Sequence, residues 1–132
     1  MKRIYLTYCS ARKNLSLRGI KRRVTPDKLY TSTRAQRFMK TCIQKDVNWA
    51  IFSDKYGVWF KNEKKSWYEK GPESVTDEEF HNLVIDFDRK LINYDEIWFY
   101  YNPGRFHKLY RKLLNRTNLK VKKFTHLSEI PS

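Results

Sequence analysis

Apolar residues recur at the spacing of a helix in three stretches of the chain. Between residues 32 and 46 they fall at i, i+3, i+4, i+7 and i+8, the pattern of one buried helical face. A second stripe ends near residue 93 and follows a capping box formed by Thr76 and Glu79. A third follows Asn102-Pro103, where asparagine is a good cap and proline suits the first helical position. The pattern predicts three helices.

Other stretches are apolar almost throughout and rich in β-branched and aromatic residues, which is typical of buried strands. They cover residues 2–9, 47–53, 96–101 and about 120–124, with residues 58–60 as a short continuation of the second. Apolar strands that alternate with helices predict a mostly parallel sheet with helices on its faces. The expected fold class is α/β, as one domain over residues 1–132 in two or three layers, with about four strands and about three helices.

Two segments lack any sustained period. Residues 11–30 contain Gly19, Pro26 and many basic side chains, so we expect a basic loop that is a candidate binding arm. Residues 61–75 predict an extended loop whose two aromatic residues fold back onto the body.

The expected topology brings polar strand ends together. Right-handed crossovers put the carboxyl ends of the first three strands at one edge of the sheet, where open α/β folds bind their ligands. The residues at those ends are Cys9, Ser10 and Lys13, then Ser53, Asp54, Lys55, Tyr56 and Gly57, then Asn102 and Arg105. We expect them to form one cationic cleft.

Charge changes this picture most. The 132 residues include 28 Lys and Arg against 14 Asp and Glu, so the formal net charge is +14, and one acid, Asp27, accompanies the basic residues of the first 37 positions. A concentrated positive potential indicates a polyanionic partner, which we expect to be nucleic acid, DNA or RNA, although charge tuned only for solubility is the alternative. The basic residues expected to hold its phosphates are Arg12, Arg18, Lys21, Arg22, Arg23, Arg105 and Lys108.

The sequence also disfavours several classes of protein. No apolar run is long enough to span a bilayer or to form the core of a signal peptide, so we expect a cytoplasmic protein with no membrane partner. Cys9 and Cys42 provide neither a disulfide framework nor a sulfur cage for a metal. His81, His107 and His126 lack metal-ligand spacing, and no glycine-rich phosphate motif occurs. We therefore expect neither a metal nor a cofactor.

Phosphate is the group that the strand ends are best suited to hold. Ser10 and Asn102, with the amino end of the third helix, offer hydroxyl, amide and backbone donors. Lys13 and Lys55 could neutralise phosphates or hold a base carbonyl. Each residue also has an ordinary structural interpretation, as a strand end, a helix cap or a solvated lysine.

Two residues could take part in chemistry directly. Asp54 could orient water or stabilise a cationic, sugar-like transition state, or it could only pair with Lys55 or a loop arginine. Cys9, beside the basic loop, could have a lowered pKa and act as a nucleophile, or it could only pack. The candidate catalytic residues are Cys9, Ser10, Lys13 and Asp54.

Aromatic residues beside basic ones suit stacking on an unpaired or flipped base. We expect Tyr30 and Tyr56 to face the site, and Trp49, Trp98 and Phe99 to fill the core. The candidate pocket for a nucleobase and its phosphate is formed by Tyr30, Ser53, Lys55, Tyr56, Gly57 and Asn102.

Three fragments resemble a known family: Cys-Ser-Ala-Arg-Lys from Cys9, Leu-Tyr-Thr-Ser from Leu29, and Ser-Asp-Lys-Tyr-Gly from Ser53. They are similar to a family of small uncharacterised α/β domains from phages, bacteria and archaea with Cys-Ser-x-x-Lys, Leu-Tyr-x-Ser and Ser-Ala-Lys-Tyr-Gly motifs. That family is distantly similar to the Cys-Ser-x-x-Lys domain of archaeosine synthase, to the peroxide-stress protein family and to uracil-DNA-glycosylase-like folds. The resemblance covers roughly the first half of the chain and implies work on a nucleobase or nucleic acid. The matching positions are Cys9, Ser10, Lys13, Tyr30, Ser53, Lys55, Tyr56 and Gly57, while Asp54 replaces the family's alanine.

The leading hypothesis is a nucleic-acid-binding α/β domain whose strand-end pocket accepts a base or nucleotide, with base modification or base excision as its candidate reaction. A non-enzymatic basic adaptor for nucleic acid or an acidic protein is the first alternative. An enzyme that acts on a small phosphorylated metabolite is the second. The sequence leaves the oligomeric state open.

Overall fold

A five-stranded sheet organises the protein in the computed structural model, which describes residues 1–9 and 12–131. The order across the sheet is β3-β2-β1-β4-β5, and every neighbouring pair is parallel except β2 and β3. The predicted α/β class with a mostly parallel sheet is confirmed. The strands are β1 (Arg3–Tyr8), β2 (Trp49–Ser53), β3 (Gly57–Phe60), β4 (Glu96–Tyr100) and β5 (Val121–Phe124).

Four α-helices accompany the sheet in the described part of the chain: α1 (Pro26–Leu29), α2 (Thr33–Gln44), α3 (Asp77–Leu91) and α4 (Lys108–Arg116). The predicted capping box begins α3, where Thr76 Oγ1 accepts from the Glu79 N–H and the Glu79 carboxylate accepts from the Thr76 N–H. None of the helices in the described ranges has the length and apolar character needed to cross a membrane.

The third predicted helix begins later than its sequence pattern suggests. Asn102 caps a single 3-10 turn, Pro103–Arg105, and α4 starts only after His107, whose Nδ1 accepts from the Leu109 N–H. Phe106 between them is extended, and its ring packs on aromatic residues of β1 and β4. The burial of that ring interrupts the helix that Asn102-Pro103 would otherwise begin.

The helices lie on both faces of the sheet. Phe52 of β2 contacts Phe87 of α3 and Tyr110 of α4. Trp49, three positions earlier and so on the opposite face, contacts Phe38 of α2. The fold therefore has three layers, which explains why every position of β2 is buried.

The separate strand β3 is the main departure in the sheet. Gly57 pairs with Ser53 at the start of an antiparallel hairpin and has a φ of +73°, which only glycine adopts at little cost. The Asp86 carboxylate of α3 accepts from the Val58 N–H at 2.8 Å. Residues 58–60 therefore add a fifth strand instead of continuing the second.

Residues 12–30 belong to the predicted basic loop, and they fold against the body. Leu17 is buried within a 3-10 turn, and Val24 exchanges two backbone hydrogen bonds with Lys65. The sequence did not predict this packing, because isolated apolar residues anchor the segment and such anchors leave no periodic signal.

The predicted loop after β3 does fold back onto the body. Tyr68 is buried and Trp67 half-buried. Their rings lie beneath the ammonium of Lys13, which is 4.5 Å from the centre of the Tyr68 ring and 5.9 Å from that of Trp67. The two irregular segments of the chain therefore pack against each other.

The chain leaves β1 toward β2 on one side and later adds β4 on the other side of β1. Such a reversal of strand order opens a crevice beyond the carboxyl ends of the strands, which is the usual ligand position in open α/β sheets. The crevice here lies beyond Tyr8, the last residue of β1.

Candidate functional site

A cavity of about 530 Å³ lies at the carboxyl ends of β1, β2 and β4. The amino end of α2, the start of α4 and the loop before α3 complete its walls. The strand ends thus bring Cys9, Asp54, Asn102 and Arg105 into one cavity, as their positions in the sequence predict. The other described lining residues are Tyr8, Arg12, Ser32, Thr33, Arg34, Lys70, Gly71, Pro72, His107 and Tyr110.

Arg34, in the first turn of α2, is held firmly in the wall of this cavity. It donates from Nη1 to Thr7 Oγ1 at 2.7 Å and from Nη2 to the Tyr8 carbonyl at 2.9 Å. Its guanidinium also lies 3.9 Å from the centre of the Tyr8 ring. Thr7 in turn donates to the Tyr100 carbonyl, so the arginine is tied to β1 and, through Thr7, to β4.

This guanidinium has no carboxylate partner among residues 1–9 and 12–131. The Arg34 side chain is half-buried, and burial lowers its pKa. Removing a cation from water without an opposing charge is costly. The arrangement is therefore suited to an anion that comes from outside the protein.

The amino end of α2 faces the same cavity. Ser32 caps the helix and accepts from the Ala35 N–H at 3.2 Å. The N–H groups of Thr33 and Arg34 lie in the first turn, where no carbonyl of the helix is placed to accept from them. No acidic residue stands in the first turn. Backbone donors and the helix dipole therefore add to the attraction for an anion.

Three further cations line the cavity. Arg12 and Arg105 are exposed, and Lys70 is half-buried and pairs with Glu79 at 3.0 Å. Among the described lining residues the one acid is Asp54. The cavity is therefore cationic overall.

Asp54 directly follows β2 and is only 2% exposed. Its Oδ1 is buried and accepts no hydrogen bond from any described group. Burial raises the pKa of the carboxyl, against the opposing effects of the Tyr68 hydroxyl and of Lys13. A buried acceptor without a donor costs folding free energy, so Oδ1 is a candidate position for a hydrogen bond from a bound molecule.

Ser53, Tyr30 and Tyr68 form a chain of buried hydroxyls that does not line the cavity. Ser53 Oγ donates to Tyr68 Oη at 3.1 Å, and the two tyrosine oxygens are 2.5 Å apart. The prediction that Tyr30 stacks on a base is wrong, because its ring is 0% exposed and packs edge-on against Trp59. Ser53 is likewise a structural residue, since its oxygen also accepts the N–H groups of Lys55 and Tyr56.

Cys9 lines the cavity but is not an activated thiol. Its Sγ lies 3.2 Å from Tyr110 Oη, and burial raises the pKa of the thiol to about 11. The predicted lowering of this pKa is wrong because burial, together with the nearby Asp54 carboxylate, disfavours the thiolate. A protonated thiol is a poor nucleophile.

Lys55 and Tyr56 lie on a different surface from Asn102. They line a smaller groove of about 290 Å³, and Asp54 is the one described residue that this groove shares with the cationic cavity. The Tyr56 hydroxyl donates to the Ser66 carbonyl, and its ring packs on Trp59 and Tyr68. The expectation of one cleft over all three strand ends is therefore wrong for the second turn, where the β3 hairpin redirects these side chains.

The remaining predicted site residues have various locations. Lys13 covers Tyr68 and does not line the cavity, and Gly57 serves the hairpin turn. Arg18 pairs with Glu69 at 3.0 Å. Ser10 lies outside the described residues. Lys21, Arg22, Arg23 and Lys108 are exposed, so their predicted contacts with phosphates remain predictions.

No group of three or more His, Cys, Asp or Glu in the described ranges is placed to hold a metal ion. The chemistry available in the cavity is therefore that of cationic donors, backbone N–H groups and one buried carboxylate. Such a set binds phosphate at one end and accepts a hydrogen bond at the other.

Sequence reasoning missed Arg34, which has the most distinctive environment in the site. A signal was present, since Arg34 stands in the first turn of a predicted helix that has no acid there, against the usual preference for acidic residues. Lys70 was missed because it lies in an irregular loop. Comparison of the chain with known family models, curated proteins and solved structures finds no match.

Proposed function

We propose that this protein is a nucleic-acid-binding α/β domain whose strand-end cavity receives one nucleotide of the bound strand. The proposal rests on Arg34, a fixed guanidinium without a described carboxylate partner, at the amino end of α2 in a cationic cavity. Guanidinium and backbone N–H donors together suit the oxygens of a phosphate group. The volume of about 530 Å³ is within the range of roughly 300–1,000 Å³ typical of small-ligand sites.

The charge outside the cavity supports a strand over a single small molecule. The net charge is +14, and the exposed Lys21, Arg22 and Arg23 lie close together in sequence. Such residues would neutralise phosphates that flank the nucleotide in the cavity. Association should then release counterions and depend steeply on salt.

Fluorescence anisotropy with a labelled single-stranded oligonucleotide of about 12 nucleotides, measured between roughly 50 and 200 mM salt, tests the proposal. We expect affinity to fall steeply with salt, and Arg105→Gln to weaken binding several-fold. Lys40→Gln is the matched control, because Lys40 is an exposed cation of α2 that does not line the cavity. A flat salt response, or equal losses for the two variants, would contradict the proposal.

The same assay separates the rival functions. A nucleoside monophosphate that competes as well as the 12-mer would indicate an enzyme for a small phosphorylated metabolite. Strand binding that survives Arg34→Gln unchanged would indicate an adaptor that uses only its basic surface.

Base modification or base excision, the candidate reaction of the leading hypothesis, would rest on Asp54, since burial raises the pKa of the Cys9 thiol to about 11. Mass spectrometry of oligonucleotides incubated with the protein would detect an altered or released base. Asp54→Ala should then abolish the product while the strand remains bound. Products formed equally by the variant would remove Asp54 from this role.

A further inference from the structure

We infer that the nucleotide received by the cavity is a ribonucleotide, whose phosphate lies at the amino end of α2 and whose ribose donates a hydroxyl hydrogen bond to Asp54. The inference rests on the proposed function and specifies its ligand. It thereby assigns a preference for RNA over DNA.

The elements around the cavity follow the order seen in nucleotide-binding α/β folds. In open α/β folds that bind nucleotides, the phosphate lies at the amino end of the helix between the first two strands, and an acid beyond the second strand accepts from the ribose 2′-hydroxyl. Here α2 connects β1 with the adjacent parallel strand β2, and Asp54 is the residue directly after β2. Both the first turn of α2 and Asp54 line the same cavity.

The phosphate end departs from that arrangement in a way that favours one phosphate group. No glycine-rich turn connects β1 with α2, so the backbone is not shaped to wrap a pyrophosphate. Arg34 takes the place of that turn, with its two Nη groups already anchored on Thr7 and Tyr8. A single phosphodiester or phosphomonoester is the group that matches one fixed guanidinium.

One oxygen of Asp54 has no described hydrogen-bond partner. Oδ1 can only accept, and no described donor reaches it. Because Asp54 is 2% exposed, a donor reaches Oδ1 only after a local shift of the cavity wall, and a single hydroxyl needs a smaller shift than the edge of a base. A 2′-deoxy sugar has only C–H groups at that position, so it would leave Oδ1 unsatisfied.

The described lining of the cavity offers no open aromatic face. Tyr8 is covered by the Arg34 guanidinium and stacks on Tyr110, and both rings are buried. The third aromatic residue there is His107, whose Nδ1 caps α4. Recognition by base stacking, which unstacked bases usually need, is therefore poorly provided for. Contacts to sugar and phosphate remain, and these do not depend on the identity of the base.

Anisotropy with three labelled 12-mers of one sequence tests the inference: RNA, DNA and 2′-O-methyl RNA. We expect the wild-type protein to bind RNA about tenfold more tightly than either of the others, because each of them lacks the 2′ hydroxyl donor. Asp54→Ala should weaken RNA binding to the level of DNA and leave DNA binding almost unchanged. Asp77→Ala removes the same charge at an exposed position outside the cavity and should keep the preference for RNA.

The outcomes separate this inference from the proposed function. Equal binding of RNA and DNA by the wild-type protein, or tighter binding of DNA, overturns the inference and leaves the proposed function standing, and this comparison does not depend on the folding of any variant. A preference that survives in a folded Asp54→Ala protein also overturns it. Failure of all three strands to bind overturns the proposed function itself.

Discussion

The two ends of β1 hold their arginines in contrasting ways. At the amino end, Arg3 donates to the Glu96 carboxylate at 2.7 Å, and Lys122 approaches the same carboxylate at 3.4 Å. At the carboxyl end, Arg34 is anchored just as firmly but only on neutral groups, Thr7 Oγ1 and the Tyr8 carbonyl. Charge is balanced by a carboxylate at the first end, and no described carboxylate balances it at the second.

The acidic residues at the two ends of β1 also differ in how the fold affects their ionisation. Hydrogen bonding from Trp98, together with Arg3, lowers the pKa of Glu96, whereas burial raises the pKa of Asp54. Glu96 is therefore stabilised as a carboxylate by the fold, and Asp54 is destabilised as one. Residues that reduce stability in this way are characteristic of binding sites, where function opposes the stability of the free protein.

The largest expected effect concerns the arginines themselves. Arg34→Gln should weaken RNA binding by about 30-fold, since a charge-assisted contact to phosphate contributes about 2 kcal/mol. Arg3→Gln removes the same charge and should change affinity by less than about twofold, because any long-range effect is screened by salt. Anisotropy at one salt concentration provides both values. Equal losses would show that the contrast between the two ends has no functional meaning.

A smaller effect is expected from the exposed basic residues of the segment after β1. Replacing Lys21, Arg22 and Arg23 with alanine should weaken RNA binding about tenfold at low salt and make its salt dependence shallower by up to about one unit for each lost phosphate contact. The preference for RNA over DNA should persist, because the cavity is unchanged. A lost preference would mean that the sugar is recognised outside the cavity. Substitution is preferable to deleting the segment, because Leu17 and Val24 anchor it in the core.

Asp54→Asn should stabilise the free protein by about 1 kcal/mol at neutral pH, because it removes a buried charge. A raised pKa means that the folded state binds the proton more tightly than the unfolded state. The ionised wild-type carboxyl therefore destabilises the fold at pH values above its raised pKa. This destabilisation is absent at pH values below the ordinary pKa of an aspartate. The advantage of the variant should therefore disappear as the pH falls. Thermal melts across pH measure this advantage, and an advantage that grows toward acid pH would contradict a raised pKa of Asp54.

The smallest effect, a loss of stability, is expected at the amino end of β1. Glu96→Gln should lower the melting temperature at neutral pH by about 1–2 °C, since the pair with Arg3 is partly exposed. A lowered pKa gives stability that is present above the ordinary pKa of a glutamate and is lost as the pH falls through the lowered value. The difference between variant and wild type should therefore vanish in acid. A stabilising effect of this variant at neutral pH would undo the contrast with Asp54.

The helices and strands that matched expectation are those with a local signal. The spacing of apolar residues in α2 and α3, and the capping box of Thr76 and Glu79, depend only on neighbours within a few turns. The start of α4 did not follow its equally good local signal at Asn102-Pro103, because the packing of Phe106 against distant strands outweighed it.

The site was predictable to the extent that topology alone decides it. Cys9, Asp54, Asn102 and Arg105 meet because parallel strands present their carboxyl ends at one edge. Tyr30 was placed wrongly because a tyrosine beside basic residues has the same local pattern whether its ring is open or buried. The hydroxyl partner that buries it, Tyr68, lies 38 positions away in a segment without a period.

The sequence by itself determined the α/β class, the mostly parallel pairing of the strands and the sign of the net charge, because these follow from short-range periodicity and composition. Only the tertiary structure decided that Arg34 has no described carboxylate partner, that Asp54 is buried with an unmatched oxygen, and that Cys9 keeps its proton. The physical reason is that desolvation and pairing depend on which side chains of distant elements meet. The local order of residues does not contain that information.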